Sequence, residues 1–239
     1  MNQPIAIITG ANRGLGFEAC RALGTQGYHI VMVGRDEQSL INAQTKLQSL
    51  GITSTLKVVD LRDSKAIEKF VHSLSNEFKQ INILINNAGV LLETQETGTM
   101  SGLGIQVKRI DIENEFAVNT FAPLELMQKI IPLMMANNYG RIVNVSSGMG
   151  SLNEMNGGWP IYRASKAALN ALTRIFAVET QSYNIKVNSV CPGWVKTDMG
   201  GENAARTIEE GIQGIIWAAT LDEEGPTGGF FRDGKAIAW

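Results

Sequence analysis

The sequence predicts an α/β fold in which helices cover both faces of a doubly wound parallel sheet. Short apolar runs alternate with longer amphipathic stretches along the whole chain. The apolar runs are mostly continuous, as expected for parallel strands that are buried on both faces. No repeat, low-complexity tract or Pro/Ser-rich linker divides the sequence. Residues 1–239 are therefore predicted to form a single domain.

The apolar runs mark the predicted strands and the amphipathic stretches mark the predicted helices. The strands are expected near residues 5–8, 30–33, 56–59, 83–85, 142–145 and 187–190. The helices are expected near residues 14–27, 37–50, 63–79, 112–136, 160–183 and 205–220. One connection, residues 90–111, is long, polar and Gly-rich. We expect it near the carboxyl ends of the strands, where such sheets bind ligands.

Composition favours a soluble, cytoplasmic protein. The 239 residues are 44% hydrophobic and carry a net charge of -2, which gives no basic surface for nucleic acid. No run approaches the roughly 20 apolar residues of a membrane span, and the N-terminal residues lack the pattern of a secretory signal. The two cysteines, Cys20 and Cys191, have no metal-ligand spacing and are expected to be reduced thiols in the core.

The first predicted strand runs directly into a glycine-rich loop. Residues 9–16 read TGANRGLG and precede the first predicted helix. Glycine lets the backbone approach a ligand closely, and a helix N-terminus offers N–H groups to a phosphate. This order predicts a dinucleotide site. The spacing of Gly10, Gly14 and Gly16 departs from the commoner Gly-x-Gly-x-x-Gly, so a simple tight turn remains an alternative.

The run YRASK places Tyr162 and Lys166 four residues apart in a predicted helix. Side chains at that spacing are neighbours on one helix face. A nearby ammonium favours the phenolate and is expected to lower the pKa of the tyrosine, which makes it a candidate proton donor. The spacing alone also fits a solvated helix face.

Four motifs together resemble the short-chain dehydrogenase/reductase family. They are the TGxxxGxG pattern at residues 9–16, the Asn-Asn-Ala-Gly run at 86–89, the serine pair at 146–147 and the YxxxK pattern at 162–166. They occur in family order and at family spacing, and the resemblance covers nearly the whole chain. It implies a Rossmann-like fold and a nicotinamide-dependent oxidoreductase.

Within that family, the C-terminal region resembles NADPH-dependent carbonyl reductases. It carries the segment CPGWVKTDM at residues 191–199 and a tail that closes on Trp239. Longer members have an insertion between the catalytic serine and tyrosine that covers a helix face used for subunit pairing. This chain has only residues 148–161 there. The resemblance therefore leaves open assembly as a homodimer or a homotetramer.

The resemblance implies a catalytic set of Asn119, Ser147, Tyr162 and Lys166. Tyr162 would donate a proton to a substrate carbonyl oxygen, and Ser147 would give that oxygen a second hydrogen bond. Lys166 would lower the pKa of Tyr162 and bind the nicotinamide ribose. Asn119 would loosen its helix and hold a water that links Lys166 to solvent. Ser147 is chosen over Ser146 because it lies nearer the family's distance from the tyrosine.

Charge at the end of the second strand predicts NADP(H) as the cofactor. Gly34 stands where NAD-using members carry an acid, and Arg13 and Arg35 could both reach a 2′-phosphate. Asp36 is interpreted as a helix N-cap. No metal site is expected. The resemblance assigns cofactor binding to Gly10, Asn12, Arg13, Gly14, Leu15, Gly16, Arg35, Asp60, Leu61, Asn87, Ala88, Gly89, Tyr162, Lys166, Pro192, Gly193, Val195 and Thr197.

The expected function is NADPH-dependent reduction of an apolar aldehyde, ketone or quinone. The candidate substrate-pocket residues are apolar, with no evident cation: Leu91, Leu152, Met155, Trp159, Trp194 and Met199. A reductase of carrier-bound 3-ketoacyl thioesters shares every motif, but the cations that could meet an acidic carrier, Arg163, Lys196 and Arg206, are sparse. The other alternative is an NADP-binding sensor or scaffold without turnover, against which the intact catalytic set argues.

Overall fold

The computed structural model describes residues 3–92 and 107–239 and is built around one eight-stranded sheet in the order β3-β2-β1-β4-β5-β6-β7-β8. The strands are β1 Ile5–Thr9, β2 His29–Gly34, β3 Ser54–Val58, β4 Ile83–Asn86, β5 Gly140–Val145, β6 Ile185–Val190, β7 Phe230–Arg232 and β8 Lys235–Ala236. All neighbouring pairs are parallel except β7 with β8. The predicted parallel sheet is confirmed. Most of the predicted functional loop, residues 90–111, lies outside the described residues.

Helices cover both faces of the sheet, as predicted. They are α1 Gly14–Thr25, α2 Glu37–Ser49, α3 Ser64–Glu77, α4 Arg109–Phe116, α5 Ala122–Met135, α6 Pro160–Glu179 and α7 Ile208–Ala219. Helices α3, α5 and α6 share one hydrophobic core with the sheet, and α1, α2 and α7 share the other. Successive residues of a strand pack into opposite cores, with Ile7 on one face of the sheet and Ile8 on the other. This alternation explains why the strands read as continuous apolar runs.

Side-chain caps fix where three of the helices begin. The Asp36 carboxylate accepts a hydrogen bond from Ser39 N at 2.7 Å and opens α2, as predicted. Asp63 does the same for α3, and Thr207 opens α7 in a capping box. Helix α1 differs, because no side chain among the described residues caps it at Arg13. Its first N–H groups therefore face the adjoining space without a side-chain acceptor.

Two parts of the fold differ from the sequence prediction. The single helix expected at residues 112–136 begins at Arg109 and is interrupted by a π-helical turn, Ala117–Phe121, that separates α4 from α5. Strands β7 and β8 were not expected. They have three and two residues, too few to show a hydrophobic period, and they form because β7 pairs with β6 across the sheet.

The strand order places a crevice at the carboxyl ends of the central strands. The connections after β1 and β4 leave to opposite sides, and such switch points bind ligands in doubly wound sheets. Among residues 3–92 and 107–239, no helix combines the length and the hydropathy that crossing a bilayer requires. In the same residues, no group of three or more His, Cys, Asp or Glu side chains is arranged to hold a metal ion.

A buried arginine connects the start of β5 to the segment between α7 and β7. Arg141 is 1% exposed, and its guanidinium donates to the carbonyl oxygens of Leu221, Gly140, Asn184 and Asp222 at 2.6 to 3.0 Å. Four carbonyl groups satisfy one buried cation, so removing the cation takes one donor from each of them, although Asn184 O and Asp222 O keep a bond from a backbone N–H.

Replacing Arg141 by Met is therefore expected to lower the free energy of unfolding by about 3 kcal/mol. Urea denaturation followed by circular dichroism measures this change. Arg21→Met is the control, because the Arg21 guanidinium is paired with Glu18 on the surface of α1, and exposed pairs contribute about 0.5 kcal/mol. Equal losses in the two variants would contradict the role given to Arg141.

Candidate active site

A cleft of about 1630 Å³ opens at the carboxyl ends of the central strands. One end is formed by the glycine-rich loop and the other by the start of α6 and the segment after β6. Except for Asn119, every catalytic and cofactor-binding residue predicted from the sequence lines this cleft. They are Gly10, Asn12, Arg13, Gly14, Leu15, Gly16, Arg35, Asp60, Leu61, Asn87, Ala88, Gly89, Ser147, Tyr162, Lys166, Pro192, Gly193, Val195 and Thr197.

The glycine-rich loop is braced by the segment after β4. The Thr9 hydroxyl accepts hydrogen bonds from Asn87 N and Ala88 N, both at 3.0 Å, and Asn87 Nδ2 donates to Thr9 O at 2.8 Å. A Cβ on Gly16 would overlap Gly10 O and lie 2.5 Å from Asn87 Nδ2. The close packing leaves the loop's N–H groups and the uncapped start of α1 along the cleft. These residues fit a dinucleotide phosphate.

Arginine side chains line the end of the cleft that β2 and β3 form. Arg35 and Arg62 line it with Asp60, whose pKa is lowered mainly by its hydrogen bonds with Arg62 and also by the charge of Arg35. Arg13 lines the same cleft but is ion-paired with Asp198, and both side chains are about two-thirds exposed, at 69% and 67%. The sequence missed Asp198 and Arg62. Binding of one phosphate by Arg13 and Arg35 together stays a prediction.

Tyr162 is a buried phenol at the other end of the cleft. It lies in the first turn of α6 and is 9% exposed. Burial raises the pKa of Tyr162 to about 12, and a hydrogen bond with Ser147 opposes this rise. Ser147 follows β5, and its hydroxyl accepts a hydrogen bond from Met149 N. At neutral pH Tyr162 is therefore a neutral phenol, the form that can donate a proton.

Lys166 lies one turn after Tyr162 and is also buried. Its Nζ donates to Val145 O at 2.9 Å and lies 5.7 Å from the centroid of the Tyr162 ring. Burial lowers the pKa of Lys166 to about 8. The two side chains share a helix face, but the expected lowering of the Tyr162 pKa is wrong for this structure. Both groups are desolvated, burial is the largest influence on the pKa of Tyr162, and Lys166 is not among the influences that lower it.

Asn119 lies inside the π-helical turn and is fully buried. Its Oδ1 accepts from Val90 N, and its Nδ2 donates to Val90 O, both at 2.9 Å, and to Ser165 Oγ. A Cβ on Gly89 would lie 3.4 Å from Asn119 Oδ1 and 3.5 Å from Lys166 Nζ. Asn119 thus acts behind the cleft wall. The extra residue of the π-helical turn loosens the helix where the sequence predicted, whereas its link to water stays a prediction.

The substrate end of the cleft has apolar walls. Leu91, Trp159, Trp194 and Met199 line it as predicted, together with Met149, which the sequence missed. The other two candidates in the described chain do not line it. Leu152 is 71% exposed on the surface, and Met155 lies outside the lining as well.

Two arginines line this end of the cleft, and both are held by protein groups. From the sequence, Arg163 was expected only as a contact for an acidic carrier, and Arg232 was not expected. Arg163 donates to Gly158 O at 2.8 Å and to the Asn156 side chain. Arg232 reaches the cleft from β7, and its Nη2 donates to Cys191 Sγ at 3.3 Å.

Cys191 was expected to be an ordinary core residue. It is buried, yet it lines the cleft, and its Sγ also accepts a hydrogen bond from Gly148 N at 3.1 Å. Because β7 shows no hydrophobic period, the sequence carries no signal that Arg232 would meet this thiol. Cys20, the other free cysteine, is in the core as expected.

Comparison with known proteins agrees with this geometry. A family model described as short chain dehydrogenase matches residues 4–207. A (+)-neomenthol dehydrogenase of Capsicum annuum is 30% identical, over 95% of this chain and 94% of that protein. The chain belongs to the short-chain dehydrogenase/reductase family. It is therefore an oxidoreductase. That alignment spans 299 positions, more than the 239 residues here, so this relative carries segments that the present chain lacks.

Other members of the short-chain dehydrogenase/reductase family are similar over nearly their whole length. Carbonyl reductase [NADPH] 1 of Bos taurus is 29% identical over 98% of each chain. Among solved structures, the carbonyl reductase Sniffer of D. melanogaster has a TM-score of 0.87 at 30% identity and covers 100% of each chain. The NADPH-bound carbonyl reductase from chicken fatty liver has a TM-score of 0.85 at 28% identity and covers 99% of each chain.

The two adjacent serines give a direct test of the site. Ser147→Ala should lower kcat by about 100-fold, because it removes the hydroxyl that is bonded to Tyr162. Ser146→Ala is the matched control, since Ser146 Oγ is buried and finds no hydrogen-bond partner among the described residues. Steady-state kinetics of both variants measure the difference. A greater loss in Ser146→Ala would reverse the assignment.

Proposed function

We propose that the protein catalyses the NADPH-dependent reduction of an apolar aldehyde, ketone or quinone carbonyl to the alcohol. The observation that carries the proposal is the neutral, buried phenol of Tyr162, hydrogen-bonded to Ser147 and adjacent to Lys166, in the same cleft as the glycine-rich loop. A neutral donor beside a second hydroxyl suits a carbonyl oxygen on which negative charge develops. The relatives named as carbonyl reductases support this reaction.

The protein's own groups handle the proton. The Tyr162 and Ser147 hydroxyls donate hydrogen bonds to the carbonyl oxygen, and the Tyr162 proton moves to that oxygen as its charge grows. The Lys166 ammonium stabilises the phenolate that remains, in a site where burial strengthens the attraction. NADPH, when bound, supplies the hydride that reaches the carbonyl carbon. Asn119 keeps the Val90 backbone, and with it the adjoining Gly89, against Lys166.

Charge and capping around β2 support NADPH over NADH. Gly34 ends β2 without an acidic side chain, and Arg35 follows on the cleft. Asp36, the nearest acid in sequence, is occupied as the N-cap of α2. Arg13 and Arg35 would hold the 2′-phosphate, while the start of α1 would face the pyrophosphate. Relatives whose names or titles include NADPH support the same choice.

The substrate end favours an apolar compound. Trp159, Trp194 and Met199 supply apolar wall, and the two arginines found there are engaged by Asn156, Gly158 O and Cys191. The 3-ketoacyl alternative is less well supported, because Arg206, one of its candidate cations, is paired with Asp233 at 2.7 Å. A pure NADP sensor would not need the bonded Ser147 and Tyr162. Assembly as a homodimer or homotetramer stays a prediction.

Replacing Tyr162 by Phe should lower kcat by about 1,000-fold or more, because it removes the proton donor and keeps the ring. NADPH affinity, measured by fluorescence titration, should stay close to that of the wild type. Tyr183→Phe is the control, since Tyr183 lies in the turn before β6, away from the cleft lining. Undiminished turnover of Tyr162→Phe with apolar aldehydes, ketones and quinones would refute the mechanism.

Replacing Arg35 by Ser should raise the Kd for NADPH by about 10-fold to 100-fold, because a charge-assisted bond to the 2′-phosphate is lost. The Kd for NADH should change little. Arg109→Ser is the control, since Arg109 is paired with Glu113 on the surface of α4. Equal losses for the two dinucleotides, or a wild-type protein that binds NADH as tightly as NADPH, would contradict this assignment.

A further inference from the structure

A second ionisable side chain is buried in the wall behind the catalytic pair. Glu115, next to the last residue of α4, has 0% exposure, whereas Glu113 and Arg109 on the same helix are exposed. Glu115 Oε2 accepts a hydrogen bond from Leu92 N at 3.0 Å. Burying a carboxylate costs much free energy unless hydrogen bonds and an opposite charge compensate. A carboxylate as buried as Glu115 therefore calls for an opposite charge in the same wall.

Lys166 and Glu115 both lie against one short backbone segment, residues 89–92. Helix α4 packs against α6, which carries Lys166. Glu115 holds the Leu92 end of the segment, and Asn119, one helical turn later, holds both backbone groups of Val90. Gly89 completes the segment, where a Cβ would lie 3.5 Å from Lys166 Nζ. Glu115 from α4 and Lys166 from α6 thus lie at the two ends of residues 89–92.

Electrostatics links the two side chains. Burial alone lowers the pKa of Lys166, and attraction by Glu115 is the larger of the two influences that raise it again, leaving a value of about 8. The smaller influence is Cys191, the residue that follows β6. Glu115 also raises the pKa of Tyr162, which favours the protonated phenol.

Three other charged groups near this end of the cleft do not influence Lys166. Arg163 is engaged by Asn156 and Gly158 O, and Arg232 by Cys191. Glu154 also lines the cleft. None of these three is among the influences on the pKa of Lys166. Glu115 is thus the carboxylate that acts on Lys166 in the described part of the chain.

We propose that Glu115 is a positioning residue that keeps Lys166 in its ammonium form, so that a cation stands beside Tyr162 when the phenol gives up its proton. The inference rests on the proposed function. In that reaction the carbonyl carbon gains a hydride from NADPH, the oxygen gains the Tyr162 proton, and the phenolate later regains a proton from water. A neutral amine at Lys166 would leave the phenolate in an apolar wall without a compensating charge.

The first test measures the charge of Lys166 directly, without substrate or cofactor. Protein labelled with 13C at lysine Cε is titrated by NMR, and the Lys166 signal is identified by its loss in Lys166→Arg. The wild-type midpoint is expected at about 8. In Glu115→Gln the midpoint should fall by about one pH unit. Glutamine keeps an acceptor for Leu92 N, so the backbone contact survives the substitution.

Two further variants and a control complete this test. Glu115→Met is the second neutral variant, to be used if the glutamine protein does not fold, and it should show the same fall. Glu115→Asp keeps the charge and should keep the midpoint near that of the wild type. Glu113→Gln, on the same helix but exposed and paired with Arg109, should leave the midpoint unchanged. An unshifted midpoint in the neutral variants would overturn the proposal.

The second test follows kcat/KM for the carbonyl substrate against pH at saturating NADPH. Glu115→Gln should move the alkaline limb to lower pH, and its deficit should shrink as the pH falls, because Lys166 then regains its proton. A deficit that is equal at every pH, with an unshifted midpoint, would mean a structural role and overturn the proposal. Failure of the wild type to reduce any carbonyl would instead refute the proposed function, and the shifted midpoint would still establish the coupling.

Discussion

The burial of Tyr162 and Lys166 in one wall is the constraint on which the whole site depends. Desolvation favours the neutral form of each group, which suits the phenol and opposes the ammonium. The phenol therefore needs nothing more to be a proton donor at neutral pH. The ammonium of Lys166 needs stabilisation, which comes from a hydrogen bond to Val145 O and from the negative charge of Glu115. The same burial thus favours the form that Tyr162 needs and disfavours the form that Lys166 needs.

Hydrogen bonds connect the carboxyl ends of β1, β4 and β5, the strand ends that carry the site. The Thr9 hydroxyl ties the glycine-rich loop to Asn87 and Ala88, so the phosphate end of the cleft cannot shift independently of the segment before Gly89. Gly89 in turn lies against Asn119 and Lys166. The two ends of the cleft are therefore connected through hydrogen-bonded backbone at Thr9, Asn87, Ala88 and Val90, which fixes the distance between them.

The sequence was most informative where function constrains residue type within a short run. The glycines at 10, 14 and 16, and the spacing of Tyr162 and Lys166, predicted both ends of the cleft because their geometry is local. Glu115 could not be found this way, because a glutamate in an amphipathic helix reads as a solvated charge until the packing of α4 is known. Arg232 and Asp198 were missed for the same reason, since their partners Cys191 and Arg13 are distant in sequence. The pKa of Tyr162 also depends on burial, which spacing does not reveal.

The π-helical turn at Ala117–Phe121 has a consequence for the register of the whole helical segment. Each residue of an α-helix advances the chain by about 100° around its axis, so one extra residue in a turn rotates everything before it relative to everything after it. Glu115 lies before the turn and Leu126, in the hydrophobic core, lies after it. If one residue were lost here while α5 stayed packed on the sheet, α4 would rotate by about 100° and Glu115 would no longer face the cleft wall. An insertion or deletion in this turn therefore changes which residues of α4 face the cleft wall, although the turn itself lies behind the cleft.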